Sequence, residues 1–384
     1  MNYDDMAMRE HARYRGKLYT HVPFAIDSRE ALSWAYTPGV AEPCRAIARD
    51  PERVYDLTVK SHTVAVVTDG SAVLGLGNIG PEASLPVMEG KCALFKAFAD
   101  LDAFPLALKT LEVDEIVETV KRISTVFGGI NLEDISAPRC FEIERRLVEA
   151  LDIPVMHDDQ HGTSVVLLAA LMNALKVVEK RMTDLRVAIS GAGAAGIAVA
   201  HLLHALGVPE IVVVDSRGIL LSGREGMNTY KDEVATYNVA ARRGGLKEAM
   251  QGADVFIGVS APGIVDGGMI ANMADRAIVF SMANPIPEVM PDVALASGAK
   301  VVATGRSDFP NQVNNVLAFP GIFKGAMRVR ARRITQEMKI AASEAIAAFV
   351  ADPTPERVIP DPFTSGLADA VADAVAVVAS EAKL

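Results

Sequence analysis

The stretch from Arg186 to Val214 constrains the fold of this chain more than any other. The sequence predicts an apolar strand over Arg186 to Ser190, which leads into a glycine-rich loop, Gly191-Ala192-Gly193-Ala194-Ala195-Gly196. A helix is predicted from Ala195 to Leu206, and a second apolar strand from Ile211 to Val214. This order of strand, loop, helix and strand is the repeating unit of doubly wound parallel sheets. We therefore expect a Rossmann-type domain around this stretch.

The glycine-rich loop has the GxGxxG spacing, and Asp215 stands at the end of the second predicted strand. Such glycines allow close approach of the backbone to a pyrophosphate, whose charge is favoured at a helix N-terminus. An acidic residue at the second strand end accepts hydrogen bonds from the adenosine ribose. A nicotinamide dinucleotide is therefore predicted to bind at Gly191, Gly193, Ala194, Ala195, Gly196 and Asp215. The alternative is a glycine turn that only packs helix on strand, but all the contextual conditions of the dinucleotide fingerprint are met here.

The type of dinucleotide is less constrained. An aspartate repels the extra phosphate of NADP, so Asp215 favours NAD. Ser216 and Arg217 follow directly and could still accept a phosphate. The sequence predicts NAD or NADP, with a preference for NAD.

Length and composition place this unit in a two-domain α/β protein. The chain has 384 residues, half of them apolar and few of them aromatic. Apolar runs predict further strands and helices. The strands are Val64–Thr68, Ala107–Thr110, Gly129–Glu133, Asp152–His157, Val255–Val259, Ala277–Ser281 and Lys300–Thr304, and the helices include Met88–Ala99, Val113–Phe127 and Thr163–Arg181. We place a substrate- and metal-binding α/β domain at 1–160 and the dinucleotide domain, with C-terminal helices, at 161–384.

Charge and hydropathy exclude some partners. The formal net charge of −10 argues against nucleic acid, which needs clustered lysine and arginine. The N-terminus has no signal-peptide core, and the longest apolar stretch, about Val165 to Val178, is too short to span a bilayer. We expect a cytoplasmic protein that does not bind membranes.

Two acidic pairs, Glu133-Asp134 and Asp158-Asp159, follow predicted buried strands. Burial of unpaired carboxylates is costly without a cation, and Mg²⁺ and Mn²⁺ prefer carboxylate oxygens. The pairs therefore predict a site for such an ion, although acidic pairs are also common on surfaces. His157 and His161 suggest zinc as an alternative, but no thiolates or HExxH pattern accompany them.

Four other residues could complete a catalytic site. Lys91 could act as a base if burial near a metal lowers its pKa, and Tyr36 could act as an acid. Asn284 and Asn315 could hold a carboxylate or carboxamide group. Each has a plainer alternative: a solvated lysine, a packing tyrosine, or ordinary asparagine turns.

Together these motifs resemble the malic enzyme family, in its short bacterial and archaeal form, from about residue 15 to 380. The matching stretches are Tyr36-Thr-Pro-Gly-Val-Ala, Thr68-Asp-Gly-Ser-Ala-Val-Leu-Gly-Leu-Gly-Asn, Pro86-Val-Met-Glu-Gly-Lys91, Asn131-Leu-Glu-Asp134, His157-Asp-Asp-Gln-His-Gly-Thr163, the Gly191 loop, Ala283-Asn-Pro285 and Asn314-Asn315-Val-Leu-Ala-Phe-Pro-Gly321.

The resemblance implies oxidative decarboxylation of L-malate to pyruvate and CO₂ by a homodimer that uses NAD or NADP and Mg²⁺ or Mn²⁺. It also implies a role for each candidate residue. Glu133, Asp134 and Asp159 would bind the metal. Lys91 would be the base, Tyr36 the acid and Asp158 an auxiliary acid–base group. The substrate would be contacted by Tyr36, Lys91, Asn284 and Asn315, and Asn284 would also contact the cofactor.

One departure and two alternatives remain. Larger malic enzymes carry a carboxylate-binding arginine soon after Thr-Asp-Gly, where this chain has Ser71-Ala72. A plain 2-hydroxy acid dehydrogenase would explain the dinucleotide loop but not the carboxylates. A non-catalytic nucleotide sensor on the same fold would explain neither the carboxylates nor Lys91.

Overall fold

A computed structural model describes residues 3–73 and 75–382 of the chain. The strands are β1 (Thr63–Thr68), β2 (Asp102–Ala107), β3 (Gly129–Leu132), β4 (Val155–His157), β5 (Arg186–Ser190), β6 (Glu210–Asp215), β7 (Gly218–Ile219), β8 (Val255–Gly258), β9 (Ile278–Ser281) and β10 (Val301–Thr304). The α-helices are α1 (Tyr3–Tyr14), α2 (Arg29–Ala35), α3 (Ala41–Arg49), α4 (Val54–Leu57), α5 (Pro81–Ala99), α6 (Val113–Ile123), α7 (Arg139–Ala150), α8 (Asp158–Val178), α9 (Ala194–Ala205), α10 (Thr229–Ala235), α11 (Leu246–Met250), α12 (Gly267–Ala271), α13 (Pro291–Ala296), α14 (Phe319–Arg328), α15 (Gln336–Ala348) and α16 (Leu367–Glu381).

The larger sheet has six strands in the order β10-β9-β8-β5-β6-β7, parallel except for the short antiparallel β7. Successive residues of each strand point to opposite faces, and both faces are buried. On β5, for example, Val187 and Ile189 join the core that contains α8 and α9, whereas Ala188 joins a second core with α11, α12 and α13. The continuous apolar runs in the sequence therefore mark strands covered on both sides, and the prediction of a Rossmann-type α/β fold is confirmed.

The smaller sheet has four parallel strands in the order β2-β1-β3-β4. Helix α5 covers it, and the C-terminal helices return to pack on α5. The ring of Phe95 on α5 lies 4.8 Å from that of Phe319 and 5.4 Å from that of Phe323, between ring centroids. Residues near the C-terminal end of the chain therefore complete the core of the first sheet.

Three predicted elements begin five or more residues away from the observed ones. Strand β2 lies at Asp102–Ala107 rather than at 107–110, because an edge strand tolerates Pro105. Helix α5 begins at Pro81 and contains Pro86, so it starts seven residues before the predicted helix. Helix α8 begins at Asp158 rather than Thr163. The second acidic pair therefore forms the first turn of a helix.

The apolar stretch at about 165–178, predicted to be too short to span a bilayer, is part of α8, and α8 is the one helix within the described ranges that is long and apolar enough to cross a membrane. Of its most apolar 18-residue stretch, 72% is buried inside the protein. Core helices of soluble proteins have the same properties, so α8 is weak evidence for a membrane span. The predicted domain boundary at 160/161 falls in the first turn of α8. Later residues of α8 belong to a core that contains strands of both sheets, and the division into two domains stays a prediction.

Candidate active site

Lys91 lies near the middle of α5, and its ammonium group pairs with two carboxylates. Its Nζ is 2.5 Å from Asp158 Oδ2 and 2.9 Å from Glu133 Oε1. The side chains are 11%, 0% and 6% exposed for Lys91, Asp158 and Glu133, and the Phe319 ring centroid lies 4.3 Å from Nζ. Burial lowers the pKa of Lys91, but the two carboxylates outweigh burial and hold the pKa above its ordinary value. The lowered pKa expected from the sequence is therefore not found in this arrangement.

The Asp158 carboxylate is held from several sides. Its Oδ2 also accepts a hydrogen bond from Asn315 Nδ2 at 3.1 Å, and Asn315 Oδ1 accepts one from Thr163 at 3.2 Å. Its Oδ1 is buried with no hydrogen-bond partner among residues 3–73 and 75–382. This oxygen lies directly against Gly162, where an added Cβ would stand only 1.9 Å away. The structure thus brings Lys91, Asp158 and Asn315 together. The absence of a side chain at Gly162 leaves room for the Asp158 carboxylate.

Glu133, Asp134 and Asp159 form a compact group of carboxylates. One oxygen from each lies within 4.8 Å of the other two. The backbone N–H of Asp134, a residue with φ of 53°, donates to Asp159 Oδ2 at 2.9 Å, and Asn131 Nδ2 donates to Glu133 at 2.8 Å. Burial and the nearby carboxylates raise the pKa of Glu133 despite the Lys91 ammonium. Three hard oxygen donors at this separation fit a divalent cation such as Mg²⁺ or Mn²⁺.

The alternative zinc site receives less support. The rings of His157 and His161 do not converge on the group formed by Glu133, Asp134 and Asp159. His157 Nε2 lies 3.6 Å from Asp159 Oδ2, whereas both ring nitrogens of His161 are engaged, by Glu144 at 3.0 Å and Lys339 at 2.9 Å. The donor set is therefore one of carboxylates rather than of imidazoles.

Glu144 on α7 is a contributor that the sequence did not indicate. Its carboxylate accepts hydrogen bonds from the backbone N–H of His157 at 2.8 Å and from Gln160 Nε2 at 3.1 Å, and it pairs with His161. Burial raises the pKa of Glu144, but His161 and Lys339 outweigh burial and hold the pKa at about 2. Glu144 therefore remains charged and fixes the start of α8. No local pattern signals this, because its partners lie more than ten residues away.

The loops that follow β1 and β3 are also joined. Ser71 Oγ accepts the backbone N–H of Ser136 at 2.9 Å, and Ala72 N–H donates to the Asp134 carbonyl at 2.9 Å. Arg139 Nη2 reaches Asp69 Oδ2 at 2.8 Å and Ser71 Oγ at 2.9 Å. Arg139 thus stands beside the position where larger malic enzymes carry their arginine, but its contacts tie the two loops together.

The glycine-rich loop connects β5 to α9 as predicted. The Gly191 N–H donates to the Val214 carbonyl at 2.8 Å, which seats the loop beside the end of β6. A Cβ on Gly196 would lie 1.9 Å from the Gly191 carbonyl oxygen, so only glycine allows this turn. Helix α9 begins at Ala194, directly after Gly193. Its first N–H groups therefore point toward the space above the loop, as a pyrophosphate site requires.

Asp215 lies at the end of β6, where the sequence placed it. Its Oδ2 accepts hydrogen bonds from Arg224 at 2.6 Å and Lys231 at 2.8 Å, and its Oδ1 accepts the Arg217 N–H at 2.9 Å. Burial raises the pKa of Asp215, but these hydrogen bonds lower it to about 2. No sequence pattern predicted Arg224 or Lys231 as partners of Asp215.

Asn284 and Tyr36 stand outside the hydrogen-bonded cluster around Lys91. Asn284 follows β9 and is exposed. Its backbone lies close to Gly75, in the loop after β1, because a Cβ added to Gly75 would stand only 2.7 Å from the Asn284 carbonyl oxygen. The loops of the two sheets therefore meet at Asn284. Tyr36 directly follows α2, is 67% exposed, and its side chain forms no hydrogen bond with any described residue.

Comparison with known proteins agrees with this architecture. Residues 160–382 match the family model "Malic enzyme, NAD binding domain", and residues 15–112 and 109–148 match "Malic enzyme, N-terminal domain". The chain is 56% identical to the bifunctional malic/malolactic enzyme of Bacillus subtilis (strain 168), over 99% of this chain and 94% of that protein. It is 49% identical to the NADP-dependent malic enzyme of Halomonas elongata, over 90% and 82% of the two chains. Among solved structures, the NAD-dependent malic enzyme of Thermotoga maritima is 50% identical and superposes with a TM-score of 0.94, over 96% of this chain and 98% of that one.

Proposed function

Because the chain belongs to the malic enzyme family, we propose that it catalyses the metal-dependent oxidative decarboxylation of L-malate to pyruvate and CO₂, with reduction of NAD or NADP. One observation carries the proposal. The Lys91–Asp158 pair adjoins a group of three carboxylates at the carboxyl end of one parallel sheet, and the Gly191 loop lies at the carboxyl end of the other. Ligands of parallel α/β sheets bind at this edge.

Glu133, Asp134 and Asp159 would hold Mg²⁺ or Mn²⁺. When bound, such a cation polarises a substrate oxygen and stabilises negative charge that develops on it. The Asp134 N–H bond to Asp159 and the Asn131 bond to Glu133 orient two of these carboxylates before an ion arrives. Their preorganisation supports a resident cation rather than an accidental acidic surface.

Lys91 and Asp158 would move the hydroxyl proton of malate. We propose that Lys91 takes this proton, with Asp158, 2.5 Å from Nζ, relaying the proton that Lys91 must give up. A nicotinamide dinucleotide held at the Gly191 loop would supply the acceptor for the hydride of C2. The bond from C3 to the C4 carboxylate then breaks, CO₂ leaves, and its electron pair remains in the enolate of pyruvate. Tyr36 would protonate C3, and the free amide hydrogens of Asn284 and Asn315 would hold the substrate.

A homodimer would bring Tyr36 to this chemistry. The segment 3–40 leaves many large apolar side chains exposed, and a surface of this kind is typical of a protein interface. They are Tyr3, Met6, Met8, Tyr14, Tyr19, Val22, Phe24, Ile26, Leu32, Trp34, Tyr36 and Val40. We propose that a second copy of the chain covers this segment and that Tyr36 serves the partner's site, because Tyr36 lies outside the Lys91 cluster of its own chain.

Mixed dimers test this arrangement. Tyr36→Phe and Lys91→Ala proteins, each inactive, would be unfolded, mixed and refolded together. If Tyr36 acts across the dimer, random pairing restores about a quarter of the activity, since half the dimers hold one intact site. No recovery would place Tyr36 in its own subunit's site. We also propose a cytoplasmic location. We further propose a division of the chain at 160/161, and the ranges of the two family matches, 15–148 and 160–382, support this division.

The proposed reaction is tested on purified protein with L-malate, Mn²⁺, and NAD or NADP in parallel. Reduced nicotinamide would be followed by absorbance and pyruvate by a separate assay, with EDTA as the metal control. We expect both products in equal amounts and neither after EDTA. Reduced cofactor without pyruvate would identify a plain dehydrogenase, and no turnover with either cofactor would favour a nucleotide sensor.

A further inference from the structure

Glu288 is a fully buried carboxylate that neither the sequence motifs nor the proposed reaction uses. It lies between β9 and α13 and is 0% exposed. Its Oε1 accepts the backbone N–H of Ser260 at 2.8 Å and the Ser260 hydroxyl at 3.4 Å. Its Oε2 accepts the backbone N–H of Ala283 at 3.0 Å and the Ser281 hydroxyl at 3.1 Å. A buried carboxylate is costly unless donors surround it, so these contacts fix the two loops to the side chain.

The donors come from two neighbouring strands at the same edge of the larger sheet. Ser260 follows β8, and Ser281 is the last residue of β9. Gly258 at the end of β8 leaves room for the carboxylate, because an added Cβ would stand 2.7 Å from Glu288 Oε2. The Ser260 hydroxyl also shares a hydrogen bond of 2.8 Å with that of Ser190, the last residue of β5. Glu288 therefore joins the carboxyl ends of β8 and β9 and, through Ser260, that of β5.

These strand ends belong to the half of the dinucleotide site that lies away from Asp215. The sheet has β6 on one side of β5 and has β8 and β9 on the other. Dinucleotides bind across such a switch point, at the carboxyl ends of the strands. The adenosine ribose is predicted at Asp215, at the end of β6. The nicotinamide half would accordingly extend toward the ends of β8 and β9, where Glu288 ties the loops together.

The same carboxylate closes the turn that carries Asn284. Its hydrogen bond to the Ala283 N–H spans five residues, and Asn284 lies within that span. The Pro287 carbonyl of this turn accepts the Gly263 N–H at 3.0 Å, so the loop after β8 is attached to the turn as well. Asn284 is predicted to contact both substrate and cofactor. Glu288 thus fixes the backbone that presents a predicted ligand contact.

An amide cannot replace this carboxylate. Each oxygen accepts one backbone N–H, that of Ser260 on Oε1 and that of Ala283 on Oε2. A glutamine side chain has one oxygen and one NH₂ group, and the NH₂ group only donates. Whichever way the amide of Glu288→Gln is turned, its NH₂ group would face one of these N–H groups. One of the two loops must therefore move away from the side chain.

We propose that Glu288 is a positioning residue that holds the loops after β8 and β9 in the arrangement that binds the nicotinamide half of the dinucleotide. Because its side chain is fully buried, it acts through these loops and not by contact with the ligand. The Gly191 loop is anchored separately, by the Gly191 N–H bond to the Val214 carbonyl, so binding of the adenosine half should not depend on Glu288. The inference rests on the proposed function for the identity of the ligand.

Two ligands separate the halves of the site. NADH carries the nicotinamide, whereas ADP-ribose has the same adenosine and pyrophosphate without it. Each would be titrated into the full chain without malate or metal, and calorimetry would give the Kd. Glu288→Gln should raise the Kd of NADH about tenfold, the size of one lost charge-assisted hydrogen bond, and change that of ADP-ribose by less than about twofold. Glu179→Gln is the matched control, at an exposed glutamate that pairs with Arg276 before β9, and should change neither.

A second variant carries the test if Glu288→Gln does not fold, as thermal unfolding would show. Ser281→Ala removes the hydroxyl that donates to Glu288 and accepts the Val289 N–H, but it leaves the Ser260 and Ala283 N–H contacts to Glu288 in place. It should raise the Kd of NADH about threefold and spare that of ADP-ribose. A loss of folded protein would instead lower the binding of both ligands.

The inference is overturned if the Kd values of NADH and ADP-ribose change by the same factor, or if the folded variants bind NADH like wild type. The expected binding pattern without malate turnover by wild type would reject the proposed reaction and keep the inference. Malate turnover by wild type, together with unchanged NADH binding in the variants, would keep the reaction and reject the inference.

Discussion

Replacing Gly162 with alanine would test whether the space beside Asp158 sets the position of its carboxylate. Gly162 lies one turn after Asp158 in α8, and an added Cβ would stand 1.9 Å from Asp158 Oδ1. Ordinary contact begins near 3.4 Å, so the carboxylate must move by about 1.5 Å. A hydrogen bond tolerates a range of only about 0.5 Å. The bonds from Asp158 Oδ2 to Lys91 and Asn315 should therefore break or lengthen.

The expected loss is in turnover rather than in folding. Misplacement of a catalytic group by about 1 Å can reduce rates about 100-fold, and we expect a fall of that size in kcat. The moving atoms are the end of a side chain that can rotate, and alanine is favoured over glycine inside a helix by about 0.5–1 kcal/mol. The free energy of unfolding should therefore stay the same or rise slightly.

Steady-state kinetics with L-malate, thermal unfolding and NADH binding would be measured on the same preparations. Gly90→Ala is the matched control. Gly90 lies in α5 next to Lys91, and an added Cβ there meets no atom within 4 Å. That variant should keep kcat within about twofold of wild type. A Gly162→Ala enzyme with wild-type kcat would refute the reasoning, because the carboxylate could then accept the clash without leaving its partners.

Three further predictions concern single side chains. Lys91→Ala should lower kcat by at least about 100-fold and leave NADH binding nearly unchanged, and full turnover would remove Lys91 from the mechanism. Asp159→Asn should raise the Mn²⁺ concentration for half-maximal activity by about tenfold or more, and a Mn²⁺ titration that matches wild type would exclude Asp159 as a ligand. His161 and Lys339 hold the pKa of Glu144 at about 2, whereas its value in the unfolded chain is 4.5. The charged carboxylate therefore contributes stability that is fully present above pH 4.5 and is lost as the pH falls toward 2. Wild type and Glu144→Gln should accordingly differ most in free energy of unfolding near pH 7 and converge in acid, and a difference that is constant across this range would contradict the assignment.

The strands of the six-stranded sheet were predictable to within a residue at each end, apart from β7. Both faces of these strands are buried, so each strand appears in the sequence as an unbroken apolar run. Edge strand β2 lacks this signal, because Phe104 is 45% exposed and Pro105 interrupts the pattern. Helix α7 had no counterpart among the predicted elements, although it carries Glu144.

Helix α8 begins five residues before the predicted helix, and the difference concerns the site. Gly162 lies inside α8, where the Asp158 carboxylate occupies the space that a side chain at this position would fill. Glu133 and one member of the Asp158-Asp159 pair could be proposed as metal ligands from their positions after predicted strands, and the resemblance to malic enzymes selected Asp159. Arg224 and Lys231 could not be predicted, because they meet Asp215 through the loop after β7 and through α10, which carry no recognisable pattern.

The packing of α5 against the C-terminal helices has a consequence for synthesis on the ribosome. Phe95 emerges more than two hundred residues before Phe319, its ring partner, and at about 5–20 residues per second the gap lasts roughly 10–45 s. During this time the nascent chain presents the apolar face of α5 uncovered, next to Lys91. The ring of Phe319 also covers the Lys91 ammonium, so Lys91 reaches its final surroundings only when helix α14 has been made. Chaperones that bind exposed apolar segments should therefore associate with the chain until late in translation. A chain released before α14 would lack the complete surroundings of Lys91 as well as a complete core.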